Sequence, residues 1–390
     1  MIEKIRDKRF IVLLVLLTYL KPYNVTLIPW LNAIYLLLKV FATIMLFIYM
    51  RNKKIKFNQA SKFCIAFLIC WTVAMILNSN IKSNIQNLLS IFCLLLLFNT
   101  LPKKLINVQM ILKYLSNIAK VYISLHFITI ILDHPLFAST SVSYDKYFLG
   151  SDNYSAFILI PLASFILLDH IMNKRKSKIE TVFFLIIGFL CLIIPKAWTG
   201  LFSYGILLVT VAYKDNSKVQ RWFTLRNVLI LTVTVLVFII AFNIQNYIGW
   251  LLHLIGKKGF SSREIIWPNA IAAFIKRPIL GYGILTNDQI SSYILYGASH
   301  THNYILEFLL DSGIIGSLFV FRWLSSVFKV NNQIFEKDEI RVSLLCFVSY
   351  FICSIFDFYI TLIYFWLLVM FFDYLKVCLQ KESAGNRIDE

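Results

Sequence analysis

Apolar residues in this chain come in long, nearly unbroken blocks, not at the three-to-four spacing of a half-buried helix or the alternation of a half-buried strand. The blocks fall at about 10–29, 31–50, 60–78, 85–101, 107–133, 153–172, 180–195, 200–213, 227–247, 302–321, 342–356 and 358–375. Most approach the roughly 20 residues that an α-helix needs to cross a bilayer. They predict an all-α, polytopic bundle of about twelve transmembrane helices. Ten to twelve is the full range, because the block at 200–213 is short and the last two could form one bent hairpin around Asp357. Polar breaks between blocks are mostly short. Two stretches predicted to lie outside are longer, at about 134–152 and 248–301. The second contains apolar residues near helical spacing, at Ile265, Ile266, Ala270, Ala273 and Phe274. Ser261 or Ser262 is placed to cap that helix, and Pro278, Gly281 and Gly283 to end it. The chain thus reads as a single integral membrane domain, 1–390, with a long and partly helical extracytoplasmic loop.

Composition agrees: 59% of the 390 residues are hydrophobic and 15% charged, against about 25% charged in soluble domains. The net charge of +18 would suggest nucleic acid in a soluble protein, but its distribution argues otherwise. With the N-terminus inside, twenty-six of the 38 Lys and Arg fall on cytoplasmic segments, nine on outer ones, and Lys39, Lys62 and Lys120 within or beside helices. That asymmetry obeys the positive-inside rule, supports an even number of crossings with both termini cytoplasmic, and gives no reason to expect a nucleic-acid partner. The charged N-terminus lacks a small-residue cleavage site and reads as an uncleaved first helix. The seven cysteines, without a CxxC pair, read as packing residues. Five of the nine outer cations occupy the 248–301 loop, and an ordered basic loop in a tightly looped protein is where function concentrates.

Four segments, in order, resemble the O-antigen ligase and polymerase superfamily, the Wzy-like membrane proteins. FLGSDNYSAFILIPL at 148–162 is similar to the family segment in which an Asn, an aromatic and a small residue open a helix. Arg263 with Trp267 resembles the R-x-x-x-W opening, and KRPILGYG at 276–283 the P-x-x-G-x-G turn. HTHNYILEFLLDSGIIGSL at 300–318 resembles the H-N-x-x-L-E signature, with His302 and Asn303 as its first pair. These motifs cover under a fifth of the chain. The sequence departs from the family at 195–205, PKAWTGLFSYG, where Trp198 stands in place of a second arginine. Lys196, Lys276 or Arg277 must then supply that cation.

The resemblance implies a GT-C-like inner-membrane glycosyltransferase, active outside, with undecaprenyl-diphosphate-linked oligosaccharides as donor and acceptor. It implies a flippase and a chain-length-regulating copolymerase as partners, and no cofactor. Chemistry fits independently. A departing diphosphate needs cationic donors, for which arginine is suited, and an attacking hydroxyl needs a base in the range of histidine. Arg263 and His302 are the expected catalytic pair, in a direct inverting displacement. Lys196, Lys276, Arg277, His300, Asn303, Trp267 and Tyr282 are expected to bind substrate. Outer acids are scattered, so metal-independent transfer is preferred. Blander readings stand beside these: Asn303 as a helix cap, Lys276 and Arg277 as favourable charges at a helix end, Glu307 as a bundle-pairing residue, and Asp357 as a hairpin-turn residue. His126, His170 and His253 look structural. Polymerase is favoured over ligase because the Ile, Lys, Asn and Phe richness resembles low-GC Gram-positive chains. A flippase or other transporter is the alternative from another class, but no paired halves are visible. A catalytically dead scaffold is the third.

Overall fold

A computed structural model describes residues 12–26, 28–134, 147–173, 177–242 and 262–385. All secondary structure among them is helical, and each of the twelve apolar blocks has a helix at its centre. In chain order these are α1 (12–19), α2 (Pro29–Asn52), α3 (Gln59–Leu77), α4 (Ile81–Thr100), α5 (Leu105–Ile131), α6 (Asp152–Asn173), α7 (Lys178–Ile193), α8 (Trp198–Ala212) and α9 (Leu225–Phe242). Then come α10 (Arg263–Lys276), α11 (Asn287–Tyr293), α12 (Tyr304–Phe328), α13 (Asp338–Phe356) and α14 (Ile363–Gly385). Among the described residues, eight helices are long and apolar enough to cross a membrane. Helices α7 and α8, with 16 and 15 residues, are shorter. The chain is a polytopic helical membrane protein.

Burial separates the helices into two shells. Helix α6 is 83% buried across its most apolar window and α13 is 78% buried, whereas α2 and α9 are 22% and 17% buried. The peripheral pair therefore presents its apolar side chains to lipid and the inner pair packs against protein. Trp323 of α12 belongs to an aromatic cluster: Trp323 and Trp366 stack at 5.2 Å and Phe67 stacks on Trp366 at 5.7 Å.

Helix α12 is broken. Gly313 has φ 60° and ψ −167°, a conformation that a side chain would strain. The 278–283 turn lies in the break: Tyr282 N donates to Leu310 O (2.9 Å), Gly283 N to Asp311 O (2.8 Å), and Ile314 N to Pro278 O (2.8 Å). These bonds satisfy backbone that would otherwise be costly at membrane depth. A Cβ on Gly281 would meet Leu310 O at 2.5 Å, so glycine is required for the turn to approach.

Of the two predicted outer loops, 135–146 and 243–261 lie outside the described residues, and with them Ser261 and His253. The described part of the second loop contains α10 and α11, and α10 ends before Pro278 as expected. Ser262 does not cap it. That residue is left-handed, with φ 62°, and makes no side-chain cap bond.

Candidate active site

Four element ends converge: the N-terminus of α10, the 298–303 segment leading into α12, the C-terminus of α13 and the turn before α14. Two clamps fix the histidine-bearing segment there. Trp267, one turn into α10 and fully buried, donates from Nε1 to Thr301 O at 3.0 Å. Asn303 caps α12 by accepting from Ile305 N and Leu306 N at 3.0 and 3.3 Å, while its Nδ2 donates to Ile355 O at 2.9 Å. Thr301 N and Oγ1 both donate to Glu307 Oε2, at 2.8 and 2.5 Å. Held this way, His302 adopts φ 58°, which costs a non-glycine residue about 1 kcal/mol and persists only where surrounding contacts enforce it.

The hub is Asp357, only 2% exposed. Its Oδ1 accepts from His300 Nε2 at 2.5 Å and from His302 Nδ1 at 3.0 Å, and its Oδ2 accepts from the Tyr359 hydroxyl at 3.3 Å. The two imidazole rings lie 3.9 Å apart, and Tyr359 packs 4.3 Å from His300. The other nitrogen of His300, Nδ1, meets Ser299 Oγ at 2.8 Å, so both nitrogens of that ring are engaged. His302 differs: with Nδ1–H pointed at the carboxylate, Nε2 is the nitrogen that presents a lone pair, and the side chain is 21% exposed. Arg263, buried at the first position of α10, donates from Nε (2.7 Å) and Nη2 to Phe356 O, the carbonyl beside Asp357.

Electrostatics follow from this packing. Burial, followed by the charge of His300, pushes His302 down to about 4 despite the opposing pull of Asp357. That ring is a neutral base at physiological pH. Burial alone would raise Asp357, but attraction to His300 and hydrogen bonds from both histidines outweigh it and hold the carboxyl below its ordinary range. Burial lowers Arg263, opposed by Asp357. A carboxylate that fixes one imidazole tautomer and leaves the other nitrogen basic is the geometry of general-base catalysis. His300, His302 and Asp357 also place their ligand atoms within 4.8 Å of one another, so by donor type the trio is suited to hold a metal ion.

Of the residues expected from the sequence, Arg263, His300 and His302 come together. Asn303 borders them, with its amide fully committed to capping and bridging. Trp267 is fully buried and Tyr282 is 5% exposed with its hydroxyl on Ala273 O at 3.0 Å. Neither ring offers an open face for sugar stacking, so both support the loop instead. Lys276 and Arg277 are exposed at the far end of α10, about 20 Å from Arg263 for a rise of 1.5 Å per residue. Arg277 lies over the Tyr282 ring at 5.1 Å. Lys196 is exposed, with φ 60°, in the turn before α8. Among the described residues, none of these three lysine and arginine side chains contacts the Asp357 cluster. Sequence reasoning preferred a hairpin-turn role for Asp357 over a relay carboxylate and did not single out Tyr359; the signal was a lone carboxylate in an otherwise apolar hairpin, which in a membrane segment marks function by default. The 148–162 segment reaches the same place, since the Tyr154 ring packs 4.8 Å from Tyr359.

Residues 183–321 match the family model described as O-antigen ligase. This segment resembles the O-antigen ligase family. It runs from α7 into α12 and contains Arg263, His300 and His302, whereas Tyr154, Asp357 and Tyr359 complete the cluster from outside it. Over 344 residues, 84% of this chain and 58% of the relative, the chain is 25% identical to the ComP-specific O-oligosaccharyltransferase of Acinetobacter baylyi. Over 128 residues, 28% of this chain and 30% of the relative, it is 30% identical to a putative polysaccharide ligase of Rickettsia conorii. The chain therefore spans less than two thirds of the length of either relative. Family and relatives support a glycan-transferring membrane protein and do not single out the polymerase reading.

Proposed function

We propose that this protein is a membrane glycosyltransferase of the ligase type, which moves a glycan from undecaprenyl diphosphate onto a hydroxyl of an acceptor at the extracytoplasmic face. The observation that carries this reading is His302, a neutral imidazole oriented by Asp357 beside the buried charge of Arg263. In the reaction, His302 Nε2 takes the acceptor hydroxyl proton and the oxygen attacks the anomeric carbon from the face opposite the diphosphate. The bond to the diphosphate breaks and its electrons leave with the phosphate oxygen, where the charge of Arg263 stabilises them. The stereochemistry inverts, and the step needs no metal. The charge bias of the loops supports the inner membrane, cytoplasmic termini and an outward-facing site. A flippase supplies the lipid-linked glycan.

Ligase is preferred to polymerase because both relatives are named for transfer, one as a polysaccharide ligase and one as an O-oligosaccharyltransferase. The polymerase reading, in which the acceptor is a second lipid-linked repeat unit and a copolymerase sets chain length, uses the same residues. One reconstitution separates them. Full-length protein in nanodiscs receives lipid-linked oligosaccharide with or without a lipid-free acceptor glycan, and products are resolved by gel. A single acceptor-dependent shift fits ligase, and a ladder without acceptor fits polymerase. Products unchanged in the His302→Ala and Arg263→Ala variants would sink the mechanism. Transbilayer movement of the lipid without any product would favour a flippase, and loss of product with a chelator would show that the trio works through a metal.

A further inference from the structure

His300 lines a cavity of about 230 Å³ that His302 does not line. That is far more room than a single water or a bare ion needs. Two carboxylates line it, Glu307 and Asp311, one turn apart on the first half of α12 and 6% and 3% exposed. Asp311 Oδ2 has no hydrogen-bond partner in the protein. An ionised group left this way is costly, so Asp311 either stays neutral or is paired by a group that enters the cavity. Asp311 also stands two residues before the break at Gly313, where the half-helix ends and its dipole is negative. The remaining wall combines Ser299, Asn287 and Thr361 with the Tyr359 ring and apolar Leu285 and Ile360. Acid and amide oxygens facing an aromatic and apolar surface suit a ligand that bears hydrogen-bond donors on its edge and C–H groups on its face.

We propose that this cavity is a saccharide subsite, in which Asp311 and Glu307 accept hydrogen bonds from the hydroxyl or ammonium groups of one sugar ring of the donor or acceptor glycan. The assignment rests on the glycosyltransferase reading above and extends it to a region that the Asp357–His302 pair does not touch. His300 lines the cavity and its ring lies 3.9 Å from that of His302, so the subsite adjoins the dyad.

The test compares Asp311→Asn and Thr361→Val with wild type in nanodiscs, using the kinetic assay with donor and acceptor varied separately. A charged hydrogen bond lost from the subsite raises one KM by about tenfold or more, with kcat within about threefold. A rise in donor KM assigns the ring to the donor, and a rise in acceptor KM assigns it to the acceptor. Thr361→Val serves if Asp311→Asn does not fold. Unchanged KM for both glycans in a folded variant overturns the proposal. So does a wild-type melting temperature that rises with Na⁺ or Ca²⁺ but no longer does in Asp311→Asn, which identifies a cation site. Saturation-transfer NMR with the free oligosaccharide released from the donor separates the two readings. Binding that needs Asp311 in a protein without transferase activity retains the subsite and removes the function, whereas transfer with unaltered KM does the reverse.

Discussion

Helix α13 has a carboxylate at each end, and the two ends are built differently. At the N-terminus, Asp338 bonds Lys214 at 2.8 Å and Arg341 at 2.9 Å, and Asp215 joins the same two cations at 3.0 Å each. The two acids there are 40% and 68% exposed. An acid at a helix N-terminus suits the dipole, and exposed pairs of this kind contribute little and cost little. At the C-terminus, Asp357 is buried and on the unfavourable end of the dipole. It is tolerated because two imidazoles donate to it and because Arg263 places a cation on the terminal carbonyl of Phe356. Two acids on one helix therefore report opposite things. The one that folding favours is structural, and the one that folding would reject without dedicated partners is the one that the proposed chemistry uses.

The largest test of that contrast is the loss of the base. His302→Ala should lower kcat by about a thousandfold, within the range of positioned acid–base groups, with product formation as the readout. Asp357→Asn should come close to it, because an amide no longer selects the tautomer with a basic Nε2. Activity retained in Asp357→Asn would break the comparison. Arg263→Ala should cost about a hundredfold or more if its charge stabilises the departing diphosphate. Arg263→Lys should recover only part of this, since lysine cannot reproduce the planar fork that grips Phe356 O. Next in size is the pH dependence. His302 must be unprotonated to act, and burial holds it at about 4, so kcat/KM should stay level as pH falls from 7 to 5 and decline only near 4. Because Asp357 raises the pKa of His302, Asp357→Asn should move that limb lower still. An acid limb near 6.5 would mean that another histidine is the base.

Hydropathy made the helices legible, because long apolar blocks admit few other structures in a bilayer. The loop motif led to Arg263, His300 and His302 for a similar reason: these residues share one short stretch of chain. What connects them was not legible. Asp357 lies 55 residues beyond His302 in an apolar hairpin, and nothing local distinguishes it from a turn residue until the end of α13 is seen against the α12 cap. Proximity in sequence misled in the opposite direction for Lys276 and Arg277, because an intact helix carries them away from Arg263. Trp267 and Tyr282 resembled sugar platforms by residue type, but their polar atoms are spent on Thr301 O and Ala273 O inside the protein. The break at Gly313 was hidden because the backbone that satisfies it, 278–283, comes from some 30 residues upstream.

The smallest expected effect tests the other end of α13. Asp338→Asn removes a carboxylate from two cations that retain Asp215, and an exposed network of this kind is worth no more than about 1 kcal/mol. The variant should melt close to wild type and transfer glycan at a rate within about twofold. Added salt should narrow even that difference, since exposed charges are screened. The Asp357 cluster, buried and hydrogen-bonded, should be nearly indifferent to salt. If Asp338→Asn abolished transfer as Asp357→Asn is expected to, burial and dipole position would not be what separates the two acids, and the assignment of chemistry to one end of the helix would fail with them.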